Sequence, residues 1–151
     1  MRCQVVSKEF KVIGMKNKGL YKDFGELVPK AAQIFLSMAT NLPNHSGVEV
    51  SIYEPPKEKG QADGIFYVGL LVNEEADSVP EGMEYLCIRH EFAMIRGQVS
   101  EMGKLYTDLD NWIANQGYQH ESPDHYMVEV YFPVENGTEE VEVHIPIKRA
   151  C

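Results

Sequence analysis

The same order of predicted elements occurs twice along this chain, and the repeat constrains the fold more than any other feature. Residues 3–14 are rich in β-branched and apolar types and end at a glycine, which is typical of a strand. Apolar residues at three- and four-residue spacing predict a helix from Phe24 to about Thr40. Residues 47–54 and 64–72 predict two strands. The first unit is therefore strand, helix, strand, strand.

The second unit has the same order. Its predicted elements are a strand over 84–97, a helix with an apolar stripe from Met102 to Ile113, and strands over 125–132 and 139–147. Gly117 suits a left-handed cap at the end of this helix, and Asn136-Gly137 is a strong hairpin signal between the last two strands.

The repeat predicts an α+β fold of duplicated strand-helix-strand-strand units, with an antiparallel sheet and two helices. A length of 151 residues fits one domain, which we place at 1–151 with pseudo-symmetric halves at about 1–75 and 82–151. Each unit has one helix to cover one face of its strands, so the other face must be buried or line a cavity. A pseudo-twofold pairing of the halves would leave a central ligand cleft.

Composition limits the classes of partner. The net charge of -9 disfavours direct contact with nucleic acid or anionic lipid. The 3 cysteines lack close spacing, which favours a reducing compartment over disulfides or zinc. With no secretory signal and no apolar run of about 20 residues, we expect a cytoplasmic protein that does not enter membranes. No phosphate-binding glycine loop is present, and we expect neither a cofactor nor a metal.

Alternation along the predicted strands assigns side chains to faces. Val128, Val130 and Phe132 are expected to pack on the helix that contains Trp112. Glu129 and Tyr131 would then point to the open face. The same reasoning places these residues on that face: Tyr53, Glu49, Tyr67, Gly69, Glu142 and His144.

This assignment predicts a cavity walled by tyrosines with one or two carboxylates at its base. Aromatic faces attract cations by roughly 0.5–2 kcal/mol each, and a desolvated carboxylate neutralises a bound positive charge. A flat aromatic cation is the ligand that fits best. The alternative is that these residues form the solvated face of an antiparallel sheet, which is the commoner arrangement.

Several segments, in order and across nearly the full length, resemble the GyrI-like or effector-binding superfamily, whose fold is also SOUL-like. The segments are Glu9-Phe10-Lys11-Val12-Ile13-Gly14, Phe66-Tyr67-Val68-Gly69 with Val72, Pro80-Glu81-Gly82-Met83, Trp112-Ile113 with Gly117-Tyr118, Val128-Glu129-Val130-Tyr131, and Val143-His144-Ile145-Pro146-Ile147. That superfamily includes effector domains of multidrug-responsive regulators, stand-alone integron-cassette drug-binding proteins, a gyrase-inhibitor branch, and hydrolases of cyclopropane-containing compounds.

The resemblance implies roles for individual residues. Glu129 matches the buried glutamate that meets the cation in the drug binders, and Tyr131 belongs to the same motif. Tyr67 matches an aromatic residue that lines the pocket, and Glu142 a second acid on the last strand. His144 departs from the usual tyrosine, which changes the shape and charge of that wall.

Three functions remain open on sequence alone. A stand-alone binding protein for a hydrophobic, cationic, aromatic molecule requires the fewest special residues, and we rank it first. A hydrolase of epoxide or cyclopropane electrophiles would use Glu129 and Tyr67. A gyrase-inhibitor-like interaction module ranks third. We expect no helix-turn-helix before the first strand or after the last, so any role in transcription would require a protein partner. A regulator and gyrase are the possible protein partners.

Overall fold

A computed structural model of the protein describes residues 3–40, 42, 45–56, 58, 60–120, 126–133 and 138–148. The elements are β1 (Cys3–Leu20), α1 (Phe24–Met38), β2 (His45–Tyr53), β3 (Asp63–Val72), β4 (Glu84–Gln98), α2 (Met102–Asn115), β5 (Gln119–His120), β6 (Met127–Pro133) and β7 (Glu139–Lys148). Both helices follow a short 3-10 turn. The duplicated order is confirmed, and the short β5 is an addition that the sequence patterns did not indicate.

The strands form one antiparallel sheet whose pairings close into a circuit. Their order is β4-β1-β3-β2-β6-β7-β5, and β4 also pairs with β7. Residues 84–95 of β4 pair with β1, while residues 92–98 pair with β7. Six strands therefore form a closed ring, with β5 outside it at β7. The sheet face that the helices leave uncovered is buried by this closure.

Local sequence features account for the start of α1 and the end of α2. α1 carries Pro29 near its start, and it ends at Met38, two residues before the predicted limit. α2 is followed by Gly117, whose φ of 78° lies in the left-handed region that favours glycine, and the Gly117 amide donates to the Ala114 carbonyl at 3.1 Å. Among the described residues, no helix is long and apolar enough to cross a membrane.

Three apolar clusters hold the ring and the helices together. One lies between α1 and the sheet, and it includes Val28, Phe35 and Phe66. A second lies between α2 and the sheet, around Leu109 and Ile113. The third, which we call the ring core, is enclosed by the strands themselves and comprises Phe10, Val12, Val50, Ile52, Tyr67, Ile88, Phe92, Val128 and Val130.

The ring core corrects one predicted face. Val128 and Val130 point into the ring core, and Phe132 packs against it, so the expectation that they pack on α2 is wrong. The residues of β7 that belong to the cluster between α2 and the sheet are Val141, Val143, Ile145 and Ile147. Because Val128 pairs with His144 and Glu129 pairs with Val143, the side chains of Glu129 and Tyr131 lie on the helix side of the sheet.

Part of the chain lies outside the described residues. The hairpin turn predicted at Asn136-Gly137 belongs to it, as does His125, with which the predicted sixth strand began. The same holds for the first two and last three residues.

Candidate functional site

A buried carboxylate marks the centre of the helix side of the sheet. Glu129 lies in β6 opposite Ser51 of β2, and only 4% of its surface is exposed. Its Oε1 accepts a hydrogen bond from the Tyr53 hydroxyl at 2.9 Å and another from the Tyr131 hydroxyl. Its Oε2 accepts one from the Tyr106 hydroxyl of α2 at 2.6 Å. Tyrosines from two strands and one helix therefore converge on one acid.

The environment keeps these hydroxyls protonated. Burial, followed by the negative charge of Glu129, raises the pKa of Tyr53, Tyr106 and Tyr131 above its ordinary value. A protonated phenol can donate to a carboxylate without adding charge. No Lys or Arg forms an ion pair with Glu129 among the residues described, so its hydrogen-bond donors at the site are neutral phenols.

A cavity of about 620 Å³ opens beside Glu129, between α1 and α2 and above the sheet. Its walls are mainly apolar. The lining residues are Phe24, Gly25, Val28, Pro29, Ala32, Gln33, Phe35, Leu36, Glu49, Val50, Ser51, Tyr53, Val68, Gly69, Val99, Met102, Glu129, Tyr131 and Glu139. This volume falls within the range of about 300–1,000 Å³ that is usual for small-molecule sites.

Aromatic packing fixes one wall of the cavity. The ring of Phe24 stacks on Tyr53 with centroids 6.0 Å apart and meets Phe66 edge-on at 4.9 Å. Tyr53 is also fixed at its hydroxyl by Glu129. The wall and the anion are thus positioned by the same side chain.

Glycines set the floor next to this wall. Gly69 of β3 pairs with Gly14 of β1, and a Cβ on Gly69 would lie 2.4 Å from the carbonyl oxygen of Ile13. A side chain there would therefore push β1 and β3 apart. The backbone of Gly69 lines the cavity.

The predicted site residues divide between two sides of the sheet. Glu129, Tyr131, Tyr53 and Gly69 line the cavity. Tyr67 is cross-strand to Ile52, whereas Tyr53 is cross-strand to Phe66, so the two tyrosines face opposite ways. The expectation that they share one surface is wrong, because both faces of β3 are buried and alternation alone does not distinguish them.

Tyr67, Glu142 and His144 lie away from the cavity. Tyr67 belongs to the ring core, where burial raises the pKa of its hydroxyl to about 12. Glu142 accepts a hydrogen bond from Arg96 at 3.2 Å. None of these three residues lines the cavity beside Glu129.

His144 is fully buried between aromatic rings. Its ring meets Phe10 and Phe92 edge-on, at 5.0 and 5.7 Å between centroids. Nδ1 lies 3.2 Å from the Val128 carbonyl oxygen, which can only accept, so Nδ1 carries the proton. Nε2 has no hydrogen-bond partner within the described part of the chain.

The sequence reasoning missed Tyr106. Tyr106 lies within the predicted apolar stripe from Met102 to Ile113, which by itself does not indicate a place at the site. A phenol on a helix face that packs on a sheet needs a partner for its hydroxyl, and this need was the available signal. In the described ranges, no group of three His, Cys, Asp or Glu side chains is placed to hold a metal ion.

Comparison with known proteins gives one family and several structural neighbours. The model of the GyrI-like small molecule binding domain family matches residues 4–148. No curated protein matches the chain. Solved structures with the same fold include SAV2435 bound to tetraphenylphosphonium, with a TM-score of 0.70, 11% identity, and coverage of 98% of this chain and 94% of that one.

Two further neighbours have the same fold. The EcmrR C-terminal domain superposes with a TM-score of 0.62 at 12% identity, covering 99% of this chain and all of the other. A hydrolase encoded by lin2189 from Listeria innocua superposes with a TM-score of 0.60 at 12% identity, covering 97% of this chain and 92% of that one. At these identities the neighbours establish the fold.

Proposed function

The chain belongs to the GyrI-like small molecule binding domain family, and we propose that it binds a hydrophobic organic cation, with Glu129 as the counter-ion. The observation that carries this proposal is a carboxylate that is 4% exposed, bonded to tyrosine hydroxyls and open to an apolar cavity. Burial of an ionised carboxylate is costly unless its charge is compensated. A bound cation would supply that compensation.

The lining favours an apolar, aromatic cation over a small hydrated one. Phe24, Val28, Leu36 and Met102 offer carbon surface, which gains free energy when it covers an apolar ligand. Phe24 and the tyrosines present π-faces and edges, and a cation over such a face gains roughly 0.5–2 kcal/mol. A metal ion or a small amine would leave most of this surface uncovered. The tetraphenylphosphonium bound to SAV2435 belongs to the class of ligand that we propose.

The hydrolase alternative has less support from this geometry. A catalytic base needs a free lone pair directed at the substrate. The tyrosine hydroxyls already occupy three of the about four lone-pair positions of Glu129, which leaves at most one, on Oε2, for a substrate. Tyr67, the other residue of that hypothesis, lies in the ring core on the opposite side of the sheet. We therefore rank binding above hydrolysis.

The binding proposal is tested with two ions of similar size and opposite charge. Tetraphenylphosphonium and tetraphenylborate are titrated into wild type, Glu129→Gln and the control Glu81→Gln, which removes a charge at an exposed turn. We expect wild type and control to bind the phosphonium alone, and Glu129→Gln to bind it roughly 10–100-fold more weakly, about 1.4–2.7 kcal/mol.

Circular dichroism would establish that all variants are folded before affinities are compared. Equal phosphonium affinity in wild type and Glu129→Gln, or equal binding of the borate by wild type, would refute the role of Glu129 as counter-ion.

A further inference from the structure

The charged side chains around the cavity are all of one sign. Glu49, Glu129 and Glu139 line it, and no Lys, Arg or His is found among the described residues of the lining. A ligand with one positive charge would neutralise Glu129 and leave the other two carboxylates without a counter-charge. The lining therefore carries more negative charge than the proposed function uses.

The second acidic position has a defined place relative to the first. Glu129 is cross-strand to Ser51, and Glu49 lies two residues from Ser51 along β2. Two residues of an antiparallel strand span about 7 Å, and residues two apart point to the same face. Glu49 thus stands on the cavity floor in the strand next to that of Glu129, about 7 Å along β2 from the position opposite Glu129 and towards Glu139 at the start of β7.

Glu49 differs from an ordinary surface acid in its surroundings. It is half-buried, whereas Glu139 is exposed. Burial, with a smaller contribution from the charge of Glu139, raises the pKa of the Glu49 carboxyl. No ion pair to Glu49 is present in the part of the chain that the structure describes. A cationic group beside Glu49 would relieve both unfavourable effects.

We propose that Glu49, supported by Glu139, determines specificity by contacting a second positive charge, so that the cavity selects elongated aromatic dications over monocations. This inference rests on the proposed function, since Glu129 takes the first charge. Glu49 is closer to solvent than Glu129, so the second contact is weaker than the first. We expect the second charge to improve affinity about tenfold.

The test uses a matched pair of probes. The dication is 1,4-bis(trimethylammoniomethyl)benzene, whose two charged nitrogens stand on opposite sides of one ring. The monocation has one of these nitrogens replaced by carbon, which keeps the shape and removes one charge. Both are titrated by calorimetry into wild type, Glu49→Gln, Glu139→Gln, Glu129→Gln and the control Glu81→Gln.

The inference predicts tighter binding of the dication by wild type and control, and in Glu49→Gln a loss of affinity for the dication that is about tenfold larger than the loss for the monocation, which removes the preference. Glu139→Gln is expected to reduce the preference by a smaller factor. Glu129→Gln is expected to weaken both probes, which reports on the proposed function separately.

Two results would overturn the inference while leaving the proposed function intact. One is equal affinity of wild type for both probes, with Glu129→Gln weakening both. The other is a preference for the dication that persists in Glu49→Gln and Glu139→Gln at the level of the control, which would assign it to the overall negative charge. If Glu129→Gln weakens neither probe, the proposed function fails and the inference fails with it.

Discussion

Protonation of His144 is expected to destabilise the fold in acid. The side chain is fully buried in the ring core, and burial lowers its pKa from 6.5 to about 4. The neutral ring is therefore favoured in the folded state, and its contribution to stability is present above pH 6.5 and lost as the pH falls towards 4. At about 1.4 kcal/mol for each pH unit, the loss amounts to about 3 kcal/mol.

The charges that face His144 do not reverse this sign. Glu142 Oε1 lies 3.9 Å from Nε2 and favours the charged ring, whereas Lys8 of β1 opposes it. Burial remains the largest of these effects because the ring is enclosed by Phe10, Phe92 and the strands.

Urea unfolding measured between about pH 7.5 and about pH 4 tests the prediction. His144→Phe keeps a flat ring among aromatic neighbours and cannot titrate, and His45→Asn removes an exposed histidine of β2 as the matched control. The free energy of unfolding of wild type and of the control should fall about 3 kcal/mol further over this range than that of His144→Phe. Parallel pH profiles for wild type and His144→Phe would refute the reasoning.

Two further predictions concern the cavity. Tyr106→Phe removes a donor to Glu129 and should cost roughly 1.5–3 kcal/mol in unfolding free energy, the usual worth of a hydrogen bond to a charged group; an unchanged urea midpoint would contradict this. Gly69→Ala should lower stability by about 1–3 kcal/mol because its Cβ would lie 2.4 Å from a carbonyl oxygen, whereas Gly103→Ala, with open space around it in α2, should raise stability by about 0.5–1 kcal/mol. In thermal unfolding, Gly69→Ala should have a lower midpoint than wild type and Gly103→Ala a higher one; the reverse order would contradict this account of the cavity floor.

The repeat in the sequence was enough to predict the class of fold and most element positions. Periodicity is a local property, and β2, β3, α1 and α2 each carry enough of it to be located within a few residues. The extension of β1 to Leu20 was missed because MKNKGL has no regular apolar alternation, and β1 gains its last hydrogen bonds from β3.

The faces of the strands could not be predicted in the same way. Val128 and Val130 of β6 point away from α2, while Val141 and Val143 of the neighbouring β7 point towards it. Both sets are apolar because ring closure buries one side and a helix buries the other. Closure depends on β4 pairing with both β1 and β7, a long-range property that no single segment shows.

Glu129 was identified from the sequence as the central residue of the candidate site, but its surroundings were identified only in part. Tyr53 and Tyr131 were named with it, whereas Tyr106 comes from a helix that was expected on the other side. The surroundings of Glu129 depend on which face β6 presents to α2. Because the sequence patterns placed Glu129 on the face away from α2, they gave no reason to place Tyr106 beside it.

The pairing of β4 with both β1 and β7 determines how the chain unfolds. An edge strand of an open sheet can detach or pair with a strand of another molecule, since its outward amides and carbonyls have no hydrogen-bond partner. Here the circuit of six strands has no first and no last member. Neither half can unfold without breaking strand pairing with the other half. The two halves should therefore unfold in a single cooperative transition.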